Sequence, residues 1–176
     1  EKSKPIVVAA NKSGIKEAEK NKDVGIPCSA EAEYALRRAA EHKIIEYLPG
    51  DSDFRIISEN MEEKQKIALE FIKENILKKF GSTGVQKIID TTVFDILHMI
   101  VVYPVENETK LTDKKGNVMP DAFLMKKGST ALDLAYRVHE DIGKKFIAAV
   151  NCKNGKHVSA SYELQDGDVI SIKAGR

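Results

Sequence analysis

The sequence predicts an α+β chain in three parts. They are the tail of a parallel α/β sheet over residues 1–48, a helical hairpin over residues 49–99, and a mixed sheet on one helix over residues 100–176. Three observations predict it. A continuous apolar run, Ile6-Val7-Val8-Ala9-Ala10, has the composition of a strand buried on both faces. Two helix-period segments follow, separated by Gly81-Ser82-Thr83-Gly84. Beyond residue 100, short strand-like runs surround a single capped helix.

The first part begins with Lys4-Pro5 and the apolar run, and Val24-Gly25-Ile26-Pro27-Cys28 is its second strand. Residues 15 to 23 are expected to form a short crossover helix between the two. Two strands do not make a stable parallel sheet, so these residues read as the end of a larger domain. Ser29 caps the next helix, with Glu31 and Glu33 favourable near its N-terminus and Ala32, Ala35, Leu36 and Ala39 on one face. Pro49-Gly50-Asp51-Ser52-Asp53 is a loop.

Residues 61 to 80 predict an amphipathic helix with Ile67, Leu69, Phe71, Ile72, Ile76 and Phe80 as apolar members. Glu62–Lys66 and Glu74–Lys78 are favourable i,i+4 pairs on it. A second helix starts near Val85. From residue 100 the order is strand (Ile100–Tyr103, ended by Pro104), turn (Asp113–Asn117), strand (Ala122–Met125), helix, then three strands. Thr130 and Asp133 form the capping box of that helix, and Ala131, Leu134, Ala135, Val138 and Ile142 form its apolar stripe. Gly143 is placed as its left-handed C-terminal residue. Asn154-Gly155 marks a hairpin and Asp166-Gly167-Asp168 a turn. This order excludes a doubly wound sheet and suits the β-grasp plan.

Composition bounds the function. Hydrophobic residues are 42% and charged residues 31% of the chain, the balance of a globular protein. The 28 basic side chains nearly cancel the 27 acidic ones, so there is no global basic field and no DNA signal. No apolar run reaches the length of a membrane span. Cys28 and Cys152 belong to no metal-binding spacing, His42, His98 and His157 have no partners at catalytic spacing, and His139, beside Glu140 and Asp141, reads as a solvated helix position. No catalytic and no metal-ligating residue is assigned.

Chemistry concentrates at the ends of the two buried strands. Asn11-Lys12 is the first half of the base-recognition motif N-K-x-D of P-loop GTPases. There the Asn amide bridges loops around the base, the Lys stem covers one purine face, and the Asp accepts from guanine N1–H and N2–H. Taken alone it is also an ordinary turn after a strand. Pro27-Cys28-Ser29-Ala30-Glu31 supplies the companion, a Ser-Ala turn whose backbone N–H groups face the guanine O6; a plain Ser29 helix cap is the alternative. Together they make Asn11, Lys12, Ser29 and Ala30 the candidate nucleotide-binding residues.

The segments KPIVVAANKS, PCSAEAEYALRRAA, YLPGDSDF and FGSTGVQKIIDTTVFDIL, and then IVVYPVEN, KLTDKKGNVMPDAFLMKKGSTALDLAYRVHEDIG and YELQDGDVISI, resemble the C-terminal half of archaeal Obg-related, YchF-like GTP-binding proteins. The last ones resemble a TGS domain, a β-grasp module of threonyl-tRNA synthetases, GTPases and SpoT-type enzymes. The resemblance implies that residues 1–48 are the C-terminal part of a G domain, residues 49–99 a linker and residues 100–176 the TGS domain. It implies a translation- or ribosome-associated, cytoplasmic GTPase that uses GTP, or ATP, with Mg²⁺ in the intact parent. Ribosome, RNA or a translation-related protein is then the expected partner of the TGS domain.

Two departures stand out: Gly14 occupies the position of the base-reading Asp, and the stretch from Asn11 to Ser29 is shorter than the family's connection. Residues missing after Ser13 would explain both. No GxxxxGK segment followed by Ser or Thr occurs, so the chain alone is not expected to hydrolyse nucleotide. The alternatives are an ATP-preferring Obg-like ATPase and a non-catalytic TGS binding module. In that module Lys114, Lys115, Lys126, Lys127, Lys144, Lys145, Lys153 and Lys156 form an RNA-facing rim or simply a solvated surface.

Overall fold

The computed structural model describes residues 4–14, 25–119 and 121–175. The crossover helix expected over residues 15 to 23, and Val24 at the start of the second strand, lie outside the described residues. The chain divides into two compact units, Glu1–Thr92 and Val93–Arg176.

In the first unit β1 (Ala9–Ala10) pairs in parallel with β2 (Ile26–Pro27). Helix α1 (Ala30–Glu41) follows, capped by the Ser29 hydroxyl accepting from Ala32 N–H at 3.4 Å. An antiparallel pair, β3 (Ile45–Glu46) and β4 (Arg55–Ile56), brackets the expected Pro49–Asp53 loop. Helix α2 (Glu63–Ile72) passes through a π turn (Lys73–Leu77) into α3 (Lys78–Phe80), and α4 (Val85–Asp90) continues into a second π segment (Thr91–Ile96).

Leu36, Ile45, Leu69, Ile72, Ile76 and Leu77 close one core, because the apolar stripes of α1 and of the α2–α3 helix meet. Ile67 and Phe71 were expected on that stripe, yet they stay 61% and 49% exposed. Glu62 is not paired with Lys66. It caps α2 in a box with Gln65, and Lys66 reaches Glu63 at 3.8 Å. Glu74 and Lys78 do pair.

The second unit is a five-stranded mixed sheet with strand order β6-β5-β9-β7-β8. Its strands are β5 (Met99–Val105), β6 (Phe123–Lys126), β7 (Phe146–Asn151), β8 (Lys156–Val158) and β9 (Asp168–Ala174). Only the β5–β9 pair is parallel. Helix α5 (Ala131–Val138) packs Ala131 and Leu134 into one core with Val102, Ala149, Leu164 and Ile170, and Ala135 is buried as well. This is the β-grasp arrangement that the strand order predicts.

Two details correct the sequence reading. Pro104 does not end β5, which runs on to Val105 beside β9. Val101 turns its N–H and C=O to Asp166 and Gly167 on the β9 side, so alternation aims the missing N–H of Pro104 the other way. There the pairing with β6 has already stopped at Val102. The expected single helix to Ile142 also breaks. His139 is extended, its Nδ1 accepts from Asp141 N–H at 3.1 Å, and a short helix α6 (Glu140–Lys144) begins. Gly143 therefore lies inside α6 and is not a left-handed cap. A Cβ there would fall 2.3 Å from the Tyr136 ring, so the residue is small because that ring crosses it.

Candidate functional site

The four sequence-predicted residues converge where β1 and β2 deliver their C-terminal ends, the usual place for a ligand on a parallel sheet. The Asn11 carboxamide oxygen accepts from Ala30 N–H at 3.1 Å and from Lys12 N–H at 2.8 Å. One side chain thus joins the loop after β1 to the first residue of α1. That bond also holds Lys12 at φ +66°, a left-handed conformation uncommon for a lysine. Ser13 pins the loop from the other side, with its N–H donating to Cys28 O at 2.9 Å and its hydroxyl to Ala10 O at 3.0 Å. The N–H of Ser29 donates to Thr83 O at 2.8 Å. Ser29 is buried, while Lys12 and Ala30 are exposed.

Behind this loop pair lies a polar cluster to which the sequence reading assigned no role. Glu33 is 4% exposed and accepts from three side chains: Thr83 hydroxyl at 2.6 Å, Tyr47 hydroxyl at 2.8 Å and Arg37 Nε at 2.7 Å. Burial pushes the Glu33 carboxyl up. The bonds from Thr83, Arg37 and Tyr47, with the Arg37 charge, outweigh it and hold the carboxyl below its ordinary range. Tyr47 is pushed up to about 12 by burial and by the adjoining Glu33 carboxylate.

Because Thr83 binds both Glu33 and the Ser29 N–H, the cluster fixes the Ser29–Ala30 turn from below. Gly84 completes the contact: at φ +79° its missing Cβ would sit 2.0 Å from Pro27 O and 2.9 Å from Cys28 Cα. In sequence, Gly84 reads as a helix stop and Glu33 as an acid near a helix N-terminus. Only the 50-residue reach from Glu33 to Thr83 reveals their shared task.

Cys28 is buried, with its Sγ 3.8 Å from Asn11 Oδ1, and burial pushes its thiol up, away from thiolate chemistry. Among the described residues no group of three or more His, Cys, Asp or Glu side chains is placed to hold a metal ion. No helix among them is long and apolar enough to cross a membrane. In the second unit Lys114 pairs with Glu106 and Lys144 with Glu140, so part of the basic rim is neutralised locally; Lys173, outside the rim, pairs with Glu108.

Two family models match the chain. Residues 7–107 match the model described as "Obg-like GTPase YGR210-like, G4 motif-containing domain", and residues 111–174 match the TGS domain. An uncharacterised GTP-binding protein of Methanocaldococcus jannaschii is 51% identical over 180 residues, covering 97% of this chain and 45% of its own length. The crystal structure of a GTP-binding protein from Pyrococcus horikoshii superposes with a TM-score of 0.70 at 42% identity, covering 97% of this chain and 46% of its own. A guanosine-3′,5′-bis(diphosphate) 3′-pyrophosphohydrolase of Aquifex aeolicus is 42% identical over 52 residues, 30% of this chain and 7% of its own length. The chain thus spans less than half the length of the two relatives that cover nearly all of it.

Proposed function

We propose, on the premise that this chain belongs to the YGR210-like family of Obg-like GTPases and carries a TGS domain, that its first unit supplies the base-recognition side of a nucleotide site in a longer, cytoplasmic GTP-binding protein. One observation carries the reading. Asn11 Oδ1 ties the Asn-Lys loop to the Ala30 N–H, putting an amide, an exposed lysine stem and a backbone donor on adjoining turns. A planar base stacks on the methylenes of Lys12 while its exocyclic acceptor takes the Ala30 N–H, shared with or taken over from Asn11. Ser29 holds the turn in place through its bond to Thr83.

Phosphate and Mg²⁺ contacts belong, in this reading, to a part of the longer protein outside these 176 residues, and the described residues contribute no step to hydrolysis. The names of the relatives favour GTP over ATP as the nucleotide. The second unit is read as the docking part for ribosome, RNA or a translation-related protein. Its self-contained sheet and core support that reading, and the basic side chains outside the ion pairs provide the charge.

The test is retention of labelled GTP by the intact protein. Asn11→Ala is expected to weaken it by about tenfold or more, the effect of one charge-free but pre-organised polar tie together with loop loosening. Lys145→Glu, in the second unit, is expected to leave it unchanged. Unaltered GTP retention in Asn11→Ala would contradict the assignment.

A further inference from the structure

We propose that the second unit binds an organic cation with an apolar body, a primary amine or guanidine on an aromatic or branched aliphatic frame, in a cavity at one end of its sheet. The cavity stands apart from the proposed base site, since every residue that lines it falls between Pro104 and Ala174. It exists because neighbouring strands end at different points. β6 pairs with β5 only as far as the Val102–Phe123 step, whereas β5 runs on to Val105 beside β9. On the helix side α5 ends at Val138, His139 is extended, and α6 starts again at Glu140. The space left is about 530 Å³, the size of an ordinary small-ligand site.

Its walls are apolar: Phe123 from β6, Ile172 from β9, Val138 from α5 and Ile142 from α6, all part-buried. Its charged groups are mostly acceptors. Glu106, Asp113 and Asp121 line it, against Lys114 as the one base among the described residues. Pro104 adds a carbonyl, because alternation turns it to the side on which β6 has ended. Asp113 is spent within its own turn, accepting from the Asn117 side-chain amide at 2.8 Å and from the Lys115 and Asn117 N–H groups at 2.9 and 2.8 Å. Lys114 meets Glu106 only at 3.7 Å, beyond hydrogen-bond range, and stays exposed. Asp121 is exposed and has no ion pair among the described residues. A matching ligand lays its apolar body on Phe123, Ile142 and Ile172 and brings several N–H donors to the carboxylates of Glu106 and Asp121. Three carboxylates against one ammonium favour a cation over a neutral molecule and repel an anion.

The experiment titrates this chain with phenethylamine, phenethyl alcohol and hydrocinnamate, which share one ring and differ in charge, and follows the amide resonances of the second unit. Phenethylamine is expected to give saturable shifts at Phe123, Ile142 and Ile172 and to bind about tenfold more tightly than the alcohol, the scale of one charge-assisted hydrogen bond. Hydrocinnamate is expected to bind more weakly than either. In the double variant Glu106→Gln, Asp121→Asn, both at exposed positions, the preference for the amine is expected to fall to within about twofold while the affinity for the alcohol holds. Equal binding of amine and alcohol, tighter binding of hydrocinnamate, a preference that survives the double variant, or no saturable shift at those residues with any of the three overturns the inference.

Discussion

In the first unit the parallel sheet is two residues long on each strand, and the loops it carries are held by side chains: Asn11 to Ala30, Ser13 to Ala10, Glu33 to Thr83. In the second unit five strands share backbone ladders, and the buried Asn151 and Asp168 of that paired sheet bond to each other and to the half-buried Tyr162 hydroxyl. Both have an apolar core of similar make-up. The difference lies in how much backbone ladder stands behind the loops. A short ladder leaves loop geometry to a few polar side chains, and the proposed base contacts, Asn11 and Ala30, are joined by one of them. In the second unit side chains tie loops as well, with Asn107, Asp113 and Asp168 accepting from loop N–H groups, but there a five-stranded ladder holds the strands on either side.

The comparison is broken most severely at the cores. Leu134→Ala in the second unit removes a side chain with no exposed surface from the helix–sheet contact, and should cost about 2–5 kcal/mol. Hydrogen exchange should show protection falling along β5, β7 and β9. Persistence of full protection there would mean that α5 does not hold the sheet.

Next comes Glu33→Ala, which strands the Thr83 and Tyr47 hydroxyls and the Arg37 guanidinium around a vacated carboxylate, at about 3 kcal/mol. Exchange of the Ser29 amide should accelerate more than the global loss accounts for, since its acceptor Thr83 is released. An equal loss everywhere would argue that the cluster supports the whole unit and not the turn.

The same cluster gives the first unit a characteristic pH dependence. The folded Glu33 carboxyl is held low, so its contribution is present above the ordinary carboxylate pKa and is lost as pH falls through the depressed folded value. Tyr47 works in the opposite sense. Its contribution is present below the unfolded tyrosine value of about 10 and is lost as pH rises towards the folded value of about 12. Thermal unfolding of Tyr47→Phe should lack that alkaline loss. A Tyr47→Phe profile as steep as wild type between those values would remove Tyr47 from the account.

The smallest expected effect sharpens the other side. Thr130→Ala opens the capping box in which Thr130 Oγ1 accepts from Asp133 N–H at 3.3 Å and Asp133 Oδ2 accepts from Thr130 N–H at 2.7 Å. It should cost about 1 kcal/mol, read as a drop in the denaturation midpoint of the second unit.

That box was legible because capping is local: donor and acceptor lie three residues apart. The strand order of the second unit was legible for the same reason, since alternation and turn residues mark each strand in place. The break at His139 was not, because no Gly or Pro announces it and the imidazole cap forms only once the chain has turned. Pro104 misled because a proline's effect on a strand depends on whether a neighbour strand faces its nitrogen.

In the candidate site, Asn11, Lys12, Ser29 and Ala30 could be named from two short segments, yet the bond from Asn11 to Ala30 spans 19 residues and is visible only in three dimensions. Glu33, Tyr47 and Thr83 were hidden further, each looking ordinary in its own stretch. Ile67 and Phe71 show the limit of periodicity, which marks an apolar stripe without saying how much of its width is covered.

The central claim is that the Asn11–Ala30 junction is where a purine base is recognised. Its most direct test is a titration of this chain with guanosine 5′-monophosphate, followed through the amide resonances of the first unit. The account predicts saturable shifts at the Asn11 side-chain amide and at the Lys12 and Ala30 backbone N–H groups, lost in Asn11→Ala. Shifts confined to other residues, or none at concentrations where the intact protein binds GTP, would contradict it.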